Sequence, residues 1–120
     1  MPGQEKCDLK QRTKAFALRI VRVFTSLPRT AEAQALGKQV LRSGTSVGAH
    51  YREACRARSV AEFLSKMEVG LQELDETCYW LELLVESEIV PGPKLAELQK
   101  EADELIRIFV ASINTAKERN

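Results

Sequence analysis

The fold is decided by residues 59–90, which read SVAEFLSKMEVGLQELDETCYWLELLVESEIV. Apolar side chains recur there every seven residues in two parallel series: Val60, Met67, Leu74 and Leu81, and Leu64, Leu71, Cys78 and Val85. A seven-residue period is close to two turns of an α-helix, so both series fall on one broad apolar stripe. The opening Ser59-Val60-Ala61-Glu62 has the form of a capping box, in which Glu62 reaches back to the Ser59 amide. The stretch therefore predicts a long helix, at about 59–88, that forms the spine of a bundle.

Three further helical segments flank this spine. Their predicted bounds are about 8–27, 31–54 and 94–117, and Pro28 and Pro91-Gly92-Pro93 separate them from their neighbours because proline lacks an amide donor. The last helix presents an apolar face made of Leu95, Leu98, Ala102, Leu105, Phe109, Ser112 and Ala116. Short connections make sequential helices antiparallel neighbours. The sequence thus predicts an all-α fold, a single antiparallel up-down-up-down four-helix bundle over residues 1–120.

The middle of the second segment can be interpreted in two ways. Residues 43–49 read SGTSVGA, and glycine and small hydroxylic residues are weak helix formers. One interpretation is a loop between two short helices. The other is a small-residue stripe on one long helix, which lets a neighbouring backbone approach closely. The composition of the segment favours neither.

Charge divides unevenly between the two halves of the chain. Residues 1–58 carry 12 Lys or Arg against 4 Asp or Glu, a net charge of +8, and residues 59–120 carry 6 against 13, a net charge of −7. One interpretation is that the basic first hairpin and the acidic second hairpin attract each other, within one bundle or between subunits. The other is that the basic hairpin binds nucleic acid, because basic side chains neutralise phosphates and release counterions.

The candidate nucleic-acid-binding residues form two groups, one on the first helix and one around the turn after the second helix. They are Lys10, Arg12, Lys14, Arg19 and Arg22, and then Arg52, Arg56 and Arg58. Tyr51 precedes the second group and could stack on a base, although a packed tyrosine is the commoner case.

No group of residues predicts catalysis or metal binding. His50 is the only histidine. Its nearest nucleophile, Cys55, lies about 140° away around a helix, which is a poor orientation for a nucleophile and its base. A di-iron bundle site needs two Glu-x-x-His pairs, which one histidine cannot supply. Gly37, Gly44 and Gly48 do not have a nucleotide-binding spacing. We therefore expect a protein that is not an enzyme and that needs no metal or other cofactor.

The remaining features concern location and redox state. The first residues, MPGQEKCDLKQR, contain no apolar run that could form a signal sequence, and no stretch of about 18 apolar residues occurs. Cys7, Cys55 and Cys78 have neither disulfide nor zinc spacing, so we expect reduced thiols, with Cys78 in the core and Cys7 exposed. These features predict a cytoplasmic protein without membrane association.

The stretch QVLRSGTSVGAH at residues 39–50, followed by Arg52-Glu53-Ala54, resembles the bacterial four-helix-bundle family first noticed as proteins encoded within 23S rRNA intervening sequences. The similarity continues through SVAEFLSKMEVGLQEL at residues 59–74 and EADELIRI at residues 101–108, and it covers most of the chain from about Phe16 onward. The resemblance implies that the second segment is one long helix in which Gly44 and Gly48 are helix contacts. Gly70 is predicted to be a third contact.

The resemblance also implies partners. Members of the family form ring-shaped homo-oligomers, typically pentamers, and include relatives of the accessory protein of diversity-generating retroelements, which binds nucleic acid and a reverse transcriptase. A pentameric homo-oligomer that binds RNA, or a ribonucleoprotein with a reverse transcriptase, is therefore the expectation for this chain. The rival expectation is a protein-binding adaptor with no nucleic-acid role.

Overall fold

Four long helices follow one another in the computed structural model, which describes residues 2–119, with side chains from Leu9 to Arg119. They are α1 (Pro2–Ser26), α2 (Ala31–Cys55), α3 (Val60–Glu86) and α4 (Gly92–Glu118). Residues 2–119 contain no strand, so the predicted all-α four-helix fold is confirmed. α1 begins at Pro2 and not at about Asp8, because proline suits the first turn of a helix, where amides have no intrahelical partner. The predicted exposure of Cys7 lies outside the described side chains.

Helices that are adjacent in sequence pack side by side. α2 packs most extensively on α3, and α1 on α2 and α3 on α4 also make long contacts, whereas α1 and α4 touch only sparsely. The short turns make each sequential pair antiparallel. The first turns of α1 and α3 and the last turns of α2 and α4 therefore lie at the same end of a body measuring 47 × 23 × 19 Å.

The predicted stripe of α3 lies at the centre of the bundle. Met67, Leu74 and Leu81 are completely buried, whereas Val60, the first member of their series, is 38% exposed. The second series, which includes Cys78, is half-buried along the edge of the core and not inside it. The largest other fully buried side chains are Phe16, Phe109, Ile20, Leu84, Leu95 and Leu105.

The predicted start of α3 forms with one change. The Ser59 side chain accepts a hydrogen bond from the Glu62 amide at 3.0 Å, as a capping serine should. The Glu62 carboxylate accepts from the amide of Arg58 at 3.3 Å, one residue before the predicted partner. The carboxylate still lies at the positive end of the helix dipole, which favours the negative charge.

α2 runs without interruption through residues 43–49, so one long helix is formed and not two short ones. The hydroxyls of Thr45 and Ser46 donate to the carbonyls of Leu41 and Arg42, each at 2.7 Å, which keeps these polar groups within the helix. Ser43 is completely buried, and its hydroxyl lies 2.8 Å from that of Thr77 on α3. Packing on both sides therefore overrides the weak helix propensity of the segment.

Gly44 and Gly48 of α2 lie against side chains of α1. A Cβ atom at Gly44 would stand 2.7 Å and 2.9 Å from side-chain atoms of Ile20, and one at Gly48 would stand 3.1 Å from Thr13 Oγ1. Side-chain Cβ atoms essentially never come within 3.0 Å of another residue, so Gly44 in particular has no room for a methyl group.

A similar contact joins α3 to α4. A Cβ atom at Gly70 would stand 2.9 Å from Cε2 of Phe109, which is completely buried. The Phe109 ring also packs against Tyr51 of α2, with 6.0 Å between ring centroids. Three helices therefore meet at one aromatic side chain.

Candidate nucleic-acid interface

A basic groove lies on the surface between α1 and α2. It has a volume of about 220 Å³ and is lined by Lys10, Gln11, Lys14 and Arg52, all of which are exposed. Lys10 and Lys14 are one turn apart on α1 and therefore share a face. The groove brings together members of the two groups of cations that lie about 40 residues apart in the sequence.

The close approach of α1 to α2 at Gly48 explains the position of this groove. Thr13 packs on Gly48 and is completely buried. Lys10 and Lys14 lie on either side of Thr13 along α1, and Arg52 is one turn beyond Gly48 on α2. Because Gly48 has no side chain, α1 lies close to α2 at this point, and this close packing brings the three cations together.

The chemistry of the basic groove suits an anion. Among the side chains that the structure describes, its lining contains three cations and no carboxylate, and Arg52 lies in the last turn of α2, where a positive charge is favoured by the helix dipole. Lysine ammonium and arginine guanidinium groups bind phosphate oxygens through charge-assisted hydrogen bonds. Gln11 adds an uncharged side chain that can both donate and accept.

Arg12 lies away from the basic groove, on the side of α1 that faces α4. Its guanidinium donates to the carboxylate of Glu101 from Nε at 3.1 Å and from Nη2 at 2.7 Å, and to Glu104 at 3.0 Å. Arg12 and Glu101 are both largely shielded from solvent, with 28% and 19% of their side chains exposed. The structure therefore assigns Arg12 to the α1–α4 contact.

The other predicted cations do not line the basic groove. Arg19 is half-buried on α1, and Arg22 is exposed one turn further along. Arg56 and Arg58 are exposed in the turn between α2 and α3. Arg58 lines a separate, larger groove at the end of the bundle.

A further arginine, Arg42, was not singled out in the sequence and links α2 to α3. Its guanidinium donates to Glu76 at 2.6 Å and to Glu73 at 3.2 Å. The hydrogen bond to Glu76 and the negative charge of both glutamates raise the pKa of Arg42 above its usual value. Arg12 and Arg42 of the basic hairpin both pair with glutamates of the acidic hairpin. Part of the charge division therefore serves attraction between the two hairpins of one chain.

One ion pair has the opposite arrangement, with its cation on the acidic hairpin and its carboxylate on the basic one. Lys66 of the acidic hairpin donates to Glu53 of the basic hairpin at 3.2 Å, and this hydrogen bond lowers the pKa of Glu53. His50 Nδ1 lies 3.2 Å from the other oxygen of Glu53. The histidine is therefore close to a carboxylate on its own helix, and Cys55, which was considered as its catalytic partner, lines the end groove.

The described side chains contain no group of three or more His, Cys, Asp or Glu residues that could hold a metal ion. Burial, together with the negative charges of Asp103, Asp75 and Glu82, raises the pKa of Cys78 to about 11. A thiol with this pKa is almost entirely protonated at neutral pH and is a poor nucleophile. Within the described residues, none of the helices has a stretch long and apolar enough to cross a membrane.

These features define a four-helix-bundle protein with a basic groove between its first two helices. The chain belongs to the 23S rRNA-intervening sequence protein family, whose sequence model matches residues 5–111. It is 35% identical to a protein of unknown function from the S23 ribosomal protein family of Bacteroides thetaiotaomicron VPI-5482, with a TM-score of 0.85 to its crystal structure. The similarity covers 91% of this chain and 97% of that one. The search of curated proteins found no match.

Proposed function

We propose that this protein is a non-enzymatic scaffold that assembles into a homo-oligomeric ring of five copies and binds RNA, alone or in a ribonucleoprotein, through its basic N-terminal hairpin. The observation that carries the RNA proposal is the basic groove, in which Lys10, Lys14 and Arg52 from two helices line one exposed cleft with no carboxylate among its described lining residues. Contacts of this kind bind the sugar-phosphate backbone and require no base-reading motif. The ring is proposed from the family resemblance.

The RNA proposal predicts a specific loss when the groove is neutralised. The triple variant Lys10→Gln, Lys14→Gln, Arg52→Gln should bind a mixed short single-stranded RNA at least about tenfold more weakly at low salt. If each cation contacts one phosphate, the slope of log affinity against log salt should also fall by about 2, since each phosphate contact contributes about 0.7 for single strands. Fluorescence anisotropy of labelled RNA over a salt series measures both quantities.

The matched control removes the same charge from another surface. Lys94, Lys100 and Arg107 are exposed cations of α4 and do not line the basic groove. Changing these three residues to glutamine should leave both the affinity and the salt slope near their original values. Equal losses in the two triple variants would mean that net charge alone governs binding, and undetectable binding of the unmodified protein at low salt would refute the RNA proposal.

The ring proposal is tested by the mass of the protein in solution. Light scattering during size-exclusion chromatography should give about five times the 13.5 kDa mass of one chain. The mass should persist at high salt if apolar contacts hold the ring, because salt screens exposed ion pairs within about one Debye length. A monomer mass under both conditions would contradict the proposal.

The alternative function is a protein-binding adaptor that uses the acidic second hairpin. The observation in its favour is the convergence of Asp75, Glu82 and Asp103 around Cys78, which concentrates negative charge between α3 and α4. Such a surface attracts a basic partner and increases the rate of association. Capture of one defined basic protein at low salt, which is lost when Asp75, Glu82 and Asp103 are changed to their amides, would favour this function if RNA binding is absent.

A further inference from the structure

A second groove lies at the end of the bundle, where the α2–α3 turn meets the C-terminal part of α4. We call it the end groove. Its volume is about 830 Å³, and its lining includes the aromatic side chains of Tyr51 and Phe63 and the aliphatic side chains of Val60 and Ile108. Concave, largely apolar surfaces of this size are typical of binding sites. The basic groove is separate from it, since the two have no described lining residue in common.

α4 contributes one continuous stripe to the end groove. The stripe consists of Ile108, Ala111, Ser112, Thr115, Ala116 and Arg119. Spacings of three and four residues place all six on one face of the helix. From Ile108 to Arg119 the stripe is about 16 Å long at 1.5 Å per residue, which is the length of about three helical turns. Because most of these side chains are small, the stripe forms a trough and not a ridge.

The charge at the end groove is positive. Among its described lining residues, the charged side chains are Arg58, in the α2–α3 turn, and Arg119, at the end of α4, and both are basic. The last turns of α2 and α4 bring about half a negative charge each to this end, and the first turns of α1 and α3 bring about half a positive charge each. These partial charges cancel to about zero, so the two full positive charges of Arg58 and Arg119 set the sign, and the rim attracts a negatively charged ligand.

We propose that the end groove binds an amphipathic helix of a partner protein, with an apolar stripe about three turns long and acidic residues beside it. A helix of this kind places apolar anchors every three or four residues, and anchors from position i to position i+11 span about 16 Å, which matches the length of the α4 stripe. Its acidic residues complement Arg58 and Arg119. This partner site is independent of RNA binding, because Lys10, Lys14 and Arg52 do not line the end groove.

The test uses three labelled synthetic peptides of equal length and composition apart from the stated change. The first has leucines in a helical stripe and glutamates on its other face. The second has lysines in place of the glutamates. The third keeps the composition of the first with the leucine stripe scrambled. Fluorescence anisotropy against the full-length protein should show binding of the first peptide, with at least about tenfold weaker binding of the other two, a difference that anisotropy resolves readily.

Two protein variants locate the binding. Ala111 is exposed and lines the end groove, so Ala111→Trp should fill the trough without disturbing the core and should abolish binding of the acidic peptide. Ala96 is an exposed alanine of α4 outside the groove, so Ala96→Trp should bind the peptide normally. If Ala111→Trp does not fold by circular dichroism, the double variant Arg58→Gln, Arg119→Gln replaces it and should weaken binding about tenfold.

The outcomes separate this proposal from RNA binding. The triple variant of the basic groove should bind the acidic peptide as tightly as the unmodified protein does, even if it has lost RNA. Equal affinity for the acidic and basic peptides, or unchanged binding by Ala111→Trp, would overturn the proposal. Absence of binding up to the highest soluble protein concentration would overturn it as well.

Discussion

Replacing Phe109 with alanine should lower the free energy of unfolding by about 3–5 kcal/mol, the range for a large aromatic side chain removed from a core. Phe109 has no exposed surface and packs against both Tyr51 and Gly70. Removing its ring costs the transfer free energy of the buried atoms and leaves a cavity where α2, α3 and α4 meet. Urea denaturation followed by circular dichroism measures the change, at one protein concentration because assembly also affects stability.

Two further variants test whether this contact is the cause. Val110 is the next residue of α4 and is 39% exposed, so Val110→Ala should change stability by no more than about 0.5 kcal/mol. Gly70→Ala should destabilise the unmodified protein, because the new Cβ atom would overlap Phe109, but it should stabilise the Phe109→Ala variant by filling part of the cavity. The same sign of effect in both backgrounds would contradict the contact.

Replacing Gly44 with valine should cost about 3 kcal/mol, the upper part of the usual range for overpacking. Even the first atom of the new side chain would stand 2.7 Å from Ile20, and Ile20 is completely buried and branched next to its backbone, so it cannot swing away. The helix propensity gained by removing glycine is less than about 1 kcal/mol and does not offset this clash. The same denaturation measurement applies.

A control for Gly44→Val lies on the outer face of the same helix. Ala49 is exposed, so Ala49→Val should cost less than about 1 kcal/mol, through the lower helix propensity of valine. Shortening the neighbour in the double variant Gly44→Val, Ile20→Ala should recover part of the loss, whereas Ile20→Ala alone should destabilise. If Gly44→Val lowers the free energy of unfolding no more than Ala49→Val does, then α1 and α2 can move apart without cost.

The fold could be read from the sequence because part of its strongest signal, the series of Met67, Leu74 and Leu81 in α3, coincides with the centre of the core, and the second series lies along the edge of the core. Residues 43–49 could not be decided by propensity, since the reason for their helical state lies on other helices, in Ile20 and Thr77. At the end of α4, Ile113 is buried, and Ser112 and Ala116, which were predicted to belong to the apolar face, line the end groove instead. The spacing of apolar residues in α4 did not reveal which face of its last turns is left uncovered by the other helices.

The candidate site was predictable only in part. Lys10, Lys14 and Arg52 were among the predicted cations, and the spacing of four residues between the lysines is the sequence signal that they share a face. Arg12 is adjacent to them in the chain but lies about 200° around the helix from Lys10, which turns it toward the acids of α4. Its partners, Glu101 and Glu104, are about 90 residues away and follow from the packing alone. Charge counted by segment cannot separate a cation that binds a ligand from one that joins two helices.

The order of the helices has a consequence for how the chain reaches this structure. Almost all contacts between helices join neighbours in sequence, and the α1–α4 contact, fastened by Arg12, is the sparse exception. Few long loops must therefore close before favourable contacts form, and helical bundles of such low contact order fold on a timescale on the order of microseconds to milliseconds. We therefore expect the hairpins to form before the first and last helices meet, and the ion pairs of Arg12 to complete the bundle and not to nucleate it.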